Sequence, residues 1–411
     1  MKKPRVVITG IGVISPAGIG IASLENVLRK GIVCMETLPF ENPDITSRVG
    51  APIPDFNPRD FMSPKEAKRL DRGEQLFASA ALMAIDDARI KVNHSGKIGI
   101  IQGTSLGGLH YGLNTQIQYQ KYGYKQLNPI AILGAMTGSG GAMVAKLRQI
   151  HGPSFVVSAG STSSAQAIIT GVQYIKNGEL DIVIAGGGEA PLNWQVYLMF
   201  QRAKMMASGW NDCPTKACRP FDQKRNGMIP GEAGAVLILE RLELAQKRNC
   251  QIYAEIIGTE FTTDAFSLIA PEPDGLHRSK AMVNAIQKGN IEAKDIDFIS
   301  AHGTSTFRND ISETNAIKLA FKKYAQKIPV CAMKSMLGHS LGACATTELI
   351  GTILAMNKGF LPPTVNLENP DPHCDLDYIP QKGRTTNINY ALINNCSFGG
   401  KNSSLLISKF H

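Results

Sequence analysis

Two histidines in the second half of this chain sit in short motifs suited to chemistry. His302 opens His302-Gly303-Thr304-Ser305-Thr306, and His339 closes Lys334-Ser335-Met336-Leu337-Gly338-His339. A third segment, Ser397-Phe398-Gly399-Gly400, is a glycine turn carrying an aromatic ring, and Arg219-Pro220-Phe221-Asp222 and Gly231-Glu232 lie upstream. Imidazoles donate or accept hydrogen bonds at a reacting carbonyl near neutral pH. A lone histidine is more often structural, but two in such loops shift the weight toward function. The run Ser158-Ala159-Gly160-Ser161-Thr162-Ser163 offers something different, because it joins an apolar strand to a helix. A turn of that kind presents its residues at a helix N-terminus, where outward N–H groups and the dipole favour negative charge.

The elements that must hold these residues alternate between strand and helix. Arg5–Gly10 reads as a short strand ending in glycine, with Gly10 and Gly12 breaking the apolar run into strand, turn and helix start. Asp71–Asp87 carries a helical apolar pattern, and Ile98–Ile101 and Ser154–Val157 read as strands. A helix follows from about Ser163 to Lys176. Asp181–Ala185 is a strand leading into Gly186-Gly187-Gly188, and Val236–Glu240 closes the half. The pattern restarts at Ala254–Thr259, Ile296–His302 delivers a histidine at a strand end, Gly342–Met356 is helical, and Leu392–Asn395 and Ser404–Ile407 flank the Phe398 turn. The alternation predicts an α/β protein of two units, and 411 residues exceed what one core usually supports.

As a set, in this order, the motifs resemble the β-ketoacyl-acyl-carrier-protein synthases of the synthase II type, condensing enzymes of fatty-acid and polyketide synthesis in the thiolase superfamily. The resemblance covers nearly the whole chain. It implies a thiolase-like, five-layer αβαβα fold from two pseudo-duplicated halves, 1–250 with the nucleophile elbow and 251–411 with the His/Lys/His site. In that family a nucleophilic Cys occupies a Thr-Ala-Cys-x-Thr-Ser turn. Matched to it, Gly160 stands at the nucleophile position, and its N–H pairs with that of Phe398 as an oxyanion hole. Ser161 or Ser163 would need an adjacent base to replace the thiol, and a one-residue shift is expected to aim either away from it. The resemblance makes His302 and His339 the catalytic histidines, Lys334 the lysine supporting the second of them, and Asp310 and Glu348 supporting carboxylates, for which buried ion pairing favours a structural role. Phe398 gates the acyl pocket. Ser397, Cys396 and Lys401 replace the family's glycine, aromatic and threonine there. Cys396 lies outside the strand-to-helix elbow, which argues against a relocated nucleophile. Asn226 replaces an Asp in a fold-supporting segment, and Lys65, Lys68 and Arg69 form a basic face where the family docks acyl carrier protein.

Composition narrows the classes. The net charge of +9 comes without Lys/Arg runs interleaved with aromatics, so an acidic protein partner fits better than nucleic acid. Eight cysteines without CxxC or regular pairing read as reduced thiols of a cytoplasmic protein. Lys2-Lys3 before Val6-Val7-Ile8 imitates a secretory leader, but the glycines that follow break it, and no apolar stretch is long enough to span a bilayer. No metal or nucleotide motif stands out, since Gly10-x-Gly12 lacks a third glycine and Gly186–Gly188 lacks the phosphate-loop lysine. The expected partners are a carrier protein bearing phosphopantetheine-linked malonyl or acyl groups and a second subunit, in a homodimer or a ketosynthase heterodimer. No cofactor is expected. Three functions are open: decarboxylation of malonyl-carrier protein without an acyl-enzyme, a condensing enzyme whose Cys was changed to Gly, and a non-catalytic subunit like the chain-length factors. Retention of His302, Lys334 and His339 argues against the last.

Overall fold

A computed structural model describes residues 3–90 and 97–410, so Lys2 of the lysine pair lies outside it. The first half contains β1 (Val6–Ser15), α1 (Arg72–Asp87), β2 (Ile98–Gly103), β3 (Ser154–Val157), α2 (Ser163–Lys176), β4 (Ile182–Glu189) and β5 (Ala233–Arg241). The second contains β6 (Ala254–Thr263), α3 (Leu276–Lys288), β7 (Phe298–Ser300), α4 (Phe307–Phe321), β8 (Val330–Cys331), α5 (Cys344–Lys358), β9 (Tyr390–Ser397) and β10 (Lys401–Ser408).

Hydrogen bonding orders the strands β3-β2-β4-β5-β1 and β8-β7-β9-β10-β6, with a short β1–β6 pairing joining the two sets. In the first set β2 runs parallel to β3 and β4, while β4–β5 and β5–β1 are antiparallel. The second set repeats this, with β7 parallel to β8 and β9, and β9–β10 and β10–β6 antiparallel. One half is a copy of the other, strand for strand. Helices α2 and α5 pack on each other and touch strands of both sets, whereas α1 covers β1, β4 and β5, and α3 covers β6 and β10. Helix, sheet, helix pair, sheet, helix is the five-layer arrangement.

The inner helix pair carries the main core. Ile168, Val172, Leu349 and Ile353 are buried in one cluster, each worth about 1.5–3 kcal/mol of apolar burial. Glycine plays a different part from the one expected. β1 does not stop at Gly10; it continues through Gly12 to Ser15. A Cβ at Gly12 would lie 1.9 Å from the Ala80 carbonyl oxygen, so the missing side chain is what lets α1 lie directly on the sheet. Likewise Gly186, Gly187 and Gly188 belong to β4 itself. β3 is the outer strand of its set, and Phe155, Val156 and Val157 are half-buried there. Among the described residues no helix is long and apolar enough to cross a membrane. All eight cysteines are unbridged.

Candidate active site

The turn between β3 and α2 is held by its own side chains. Ser163 Oγ donates to the Gly160 carbonyl at 2.6 Å and accepts from the Ala159 N–H at 2.9 Å. Gly160 adopts φ +62°, a left-handed conformation that suits glycine. An ideal Cβ there would come 1.9 Å from Ser397 Oγ, so the side-chain direction at 160 runs into the β9–β10 hairpin. One residue on, Ser161 Oγ lies 3.0 Å from His339 Nε2. This corrects the assignment of Gly160 to the nucleophile position and the expectation that Ser161 points away from a base. Ser161 faces the histidine. The left-handed turn at Gly160 sets that register, and spacing alone did not reveal it.

The amides expected to form an oxyanion hole differ in their bonding. The Ser161 N–H donates to Ser397 Oγ at 3.0 Å, so a hydroxyl already occupies the elbow amide. The Phe398 amide has no hydrogen-bond partner among the described residues. Ser397 stands where the resemblance has glycine, and its Oγ fills the space that a Cβ at 160 would need.

His302 ends the loop after β7 and is fixed from two sides. Its backbone N–H and that of Gly303 donate to the Glu313 carboxylate of α4 at 2.7 and 2.8 Å. On the ring, Lys334 Nζ lies 3.3 Å from Nδ1, while the same ammonium is paired with Glu348. Glu348 also accepts from Asn395 Nδ2 at 2.7 Å. Although burial opposes its charge, the paired Glu348 carboxylate helps carry Lys334 above the ordinary lysine value, so it stays an ammonium. An ammonium can only donate, which leaves Nδ1 bare and places the ring proton on Nε2. Lys334 therefore supports the first histidine, His302, and not the second as expected.

His339 is held by its backbone, with N–H to Ile229 O at 2.7 Å and its carbonyl accepting from Gly231 N at 3.0 Å. The two imidazoles meet edge to face, with centroids 5.3 Å apart. Burial, then Lys334, holds both well below the ordinary histidine value, with smaller contributions at His302 from His339 and Arg278. Both rings are neutral in working conditions. His339 Nδ1 is buried without a partner, so no carboxylate waits to steady an imidazolium there. Cys344, beneath the elbow, donates its thiol to the Ser161 carbonyl at 3.3 Å, and burial pushes it up to about 12. Ser161, His302, His339, Ser397 and Phe398 line one cavity of about 760 Å³.

Residues 3–245 match the family model "Beta-ketoacyl synthase, N-terminal domain", and residues 253–368 match "Beta-ketoacyl synthase, C-terminal domain". The chain belongs to the β-ketoacyl synthase family. It is 36% identical to 3-oxoacyl-[acyl-carrier-protein] synthase 2 of Synechocystis sp., over 100% of this chain and 99% of the relative. Among solved structures it resembles a type II polyketide ketosynthase bound to the hexaketide in complex with its acyl-carrier protein. That match has a TM-score of 0.92 and 27% identity, over 99% of this chain and 100% of the other. The ishigamide ketosynthase/chain length factor matches with a TM-score of 0.92 and 29% identity, over 100% of both chains.

Other positions singled out from the sequence take their places in this β-ketoacyl synthase fold. Asp310 does not reach the histidines; it accepts from Phe221 N at 2.9 Å and pairs with Arg225 at 3.5 Å. Cys396 borders the cavity, but burial raises its pKa far above the ordinary range, so it is no thiolate. Phe398 is 47% exposed at the cavity wall. Lys65 and Lys68 are exposed and Arg69 is half-buried. Ser161, Ser397, Glu313 and Arg278 are site residues that sequence reasoning did not assign. Ser397 had a signal in its replacement of a motif glycine, and Ser161 in its place beside the expected nucleophile position.

Proposed function

We propose that this β-ketoacyl synthase removes carbon dioxide from a malonyl thioester carried by an acyl carrier protein, without forming an acyl-enzyme. The observation that carries this reading is the pair of buried, neutral histidines facing one cavity above an elbow whose amide is already occupied. Decarboxylation breaks the bond between the carboxylate and the α-carbon, and its electrons pass to the thioester oxygen as an enolate. That oxygen needs N–H donors in a dry pocket. His302 supplies one at Nε2, and Lys334 adds positive charge behind the ring. The enolate carbon then takes a proton from the Ser161 hydroxyl, which stands beside His339, and the serine oxygen regains one from water, so that one proton is taken up for each carbon dioxide released. Acylation of Ser161 is poorly served. It would charge His339 next to Lys334, with no carboxylate on Nδ1, and would need the amide that Ser397 holds.

The carrier partner is inferred from the relatives' acyl-carrier-protein chemistry and from exposed Lys204 and Arg308 at the cavity lining, which suit an acidic partner. A second reading, condensation through an acyl-Ser161, draws on the 3.0 Å Ser161–His339 contact. Incubation with malonyl-carrier protein separates the two by mass spectrometry. Conversion to acetyl-carrier protein with an unmodified enzyme is expected. An acyl adduct on Ser161 would favour the second reading, and unchanged malonyl carrier after many equivalents would rule out decarboxylation.

A further inference from the structure

Arg278, on α3, is only 4% exposed and lies in the wall of the same cavity. Two other buried arginines of this chain have carboxylates. Arg219 pairs with Asp222 at 2.9 Å, and Arg225 pairs with Asp371 at 2.7 Å and Asp310 at 3.5 Å. Arg278 forms no ion pair among the described residues. Its guanidinium contacts only neutral oxygens, and at long range: Asn309 Oδ1 at 3.2 Å, the Asn309 carbonyl at 3.5 Å and Asn402 Oδ1 at 3.5 Å. Both amides are oriented from behind, since Asn309 Nδ2 donates to Asp310 at 3.0 Å and Asn402 Nδ2 to Asp264 at 2.6 Å. Acidic groups thus fix the asparagines with their oxygens toward Arg278, yet none reaches the cation.

A guanidinium out of water costs several kcal/mol unless an anion meets it, and its planar fork matches a carboxylate with two parallel hydrogen bonds. We propose that Arg278 is the anchor of a carboxylate subsite inside the cavity, one that selects thioesters of dicarboxylic acids over those of simple fatty acids. The inference deepens the reading of the cavity as a thioester site and rests on it for the thioester. Two carboxylates share this chemistry: that of a malonyl group, and the distal one of a longer diacyl chain. Charge on a carboxylate that is about to leave as carbon dioxide is held back by an arginine, so the distal group gains more from Arg278.

Calorimetric titration of the whole protein with pantetheine thioesters tests the subsite, the succinyl and glutaryl arms without turnover and the malonyl arm from its initial binding heats. Succinyl- and glutaryl-pantetheine are compared with their butyryl and valeryl counterparts, and malonyl- with propionyl-pantetheine. At least a tenfold tighter binding of diacyl thioesters is expected, on the scale of one charge-assisted hydrogen-bonded pair. A preference confined to the malonyl arm places the extender carboxylate on Arg278; a preference in the longer arms places the distal one there. Arg278→Met is expected to abolish the preference, and Arg278→Lys to keep part of it, with circular dichroism confirming the fold. Equal affinity of diacyl and monoacyl thioesters for the unmodified protein overturns the proposal, whether or not the variants fold. Binding without decarboxylation would leave the subsite standing and remove the catalytic reading instead.

Discussion

At the elbow, the contact of Ser397 Oγ with the Ser161 N–H and the bare Cα of Gly160 belong together, because the hydroxyl sits where a Cβ at 160 would be. Ser161→Cys places a thiol at the α2 N-terminus, where the dipole favours thiolate. A covalent mass shift with an acyl thioester is expected, and it should form faster when Ser397→Gly frees the amide. The absence of an adduct in a folded double variant would show that the elbow no longer supports acylation. The histidines give a second expectation. His302→Ala should slow carboxyl loss by about 10²–10³, the usual cost of an oxyanion donor, and His339→Ala, which disturbs the Ser161 hydroxyl that protonates the enolate, should slow turnover by about 10²–10⁴. Their pKa values are depressed from 6.5, so the folded protein stays uncharged at both rings while the unfolded chain takes up protons below that value. Stability from this source is complete above about 6.5 and is lost as pH falls. The kcat/KM profile should therefore show no inflection at the ordinary histidine value, while the melting temperature drops on acidification. A rate that titrates near 6.5 would contradict the neutral pair.

The site stands at the ends of elements, and these depend on how tightly α1, α2 and α5 lie on their strands. Gly12 is the sharpest case. Gly12→Ala drives a Cβ to 1.9 Å from the Ala80 carbonyl and must lift α1 from the sheet. An overpacking loss of about 1–3 kcal/mol is expected, read as a lower urea midpoint at constant m-value. An unchanged midpoint would mean that the helix has room that this packing denies. The ion pair of Lys334 with Glu348 is similar in kind. Both side chains are buried, so Lys334→Met leaves an unmatched carboxylate and costs about 3–5 kcal/mol in addition to freeing the His302 ring.

For the whole molecule, β3 is a short, half-exposed apolar strand at the open edge of the sheet, next to the elbow. An edge of that kind is a template for pairing, and we expect two copies, or this chain and a similar subunit, to meet there about a two-fold axis. Light scattering should show a dimer that Val156→Lys converts to monomer; a stable monomer of the unmodified protein would refute the arrangement. We expect the exposed basic side chains Lys65 and Lys68 to dock the carrier. Reversing both to Glu should raise KM for the malonyl carrier while sparing a malonyl-pantetheine substrate, and the effect should shrink as salt screens it.

What the sequence determined by itself is local. The strand at 154–157 and the helix at 163–176 fall where apolar pattern and turn residues put them, and the ordered motifs were enough to imply the two-part fold. Strand lengths were less legible, because Gly10, Gly12 and Gly186 to Gly188 read as breakers until the close approach of neighbouring elements showed their purpose. The site's wiring was decided by tertiary structure alone. That Ser161 and not Gly160 meets His339, that Lys334 reaches His302, that Asp310 serves Arg225, and that Arg278 turns an unmatched charge toward the cavity all depend on segments more than thirty residues apart meeting within hydrogen-bond range. Spacing along the chain carries no term for that meeting; packing within and between the two halves supplies it.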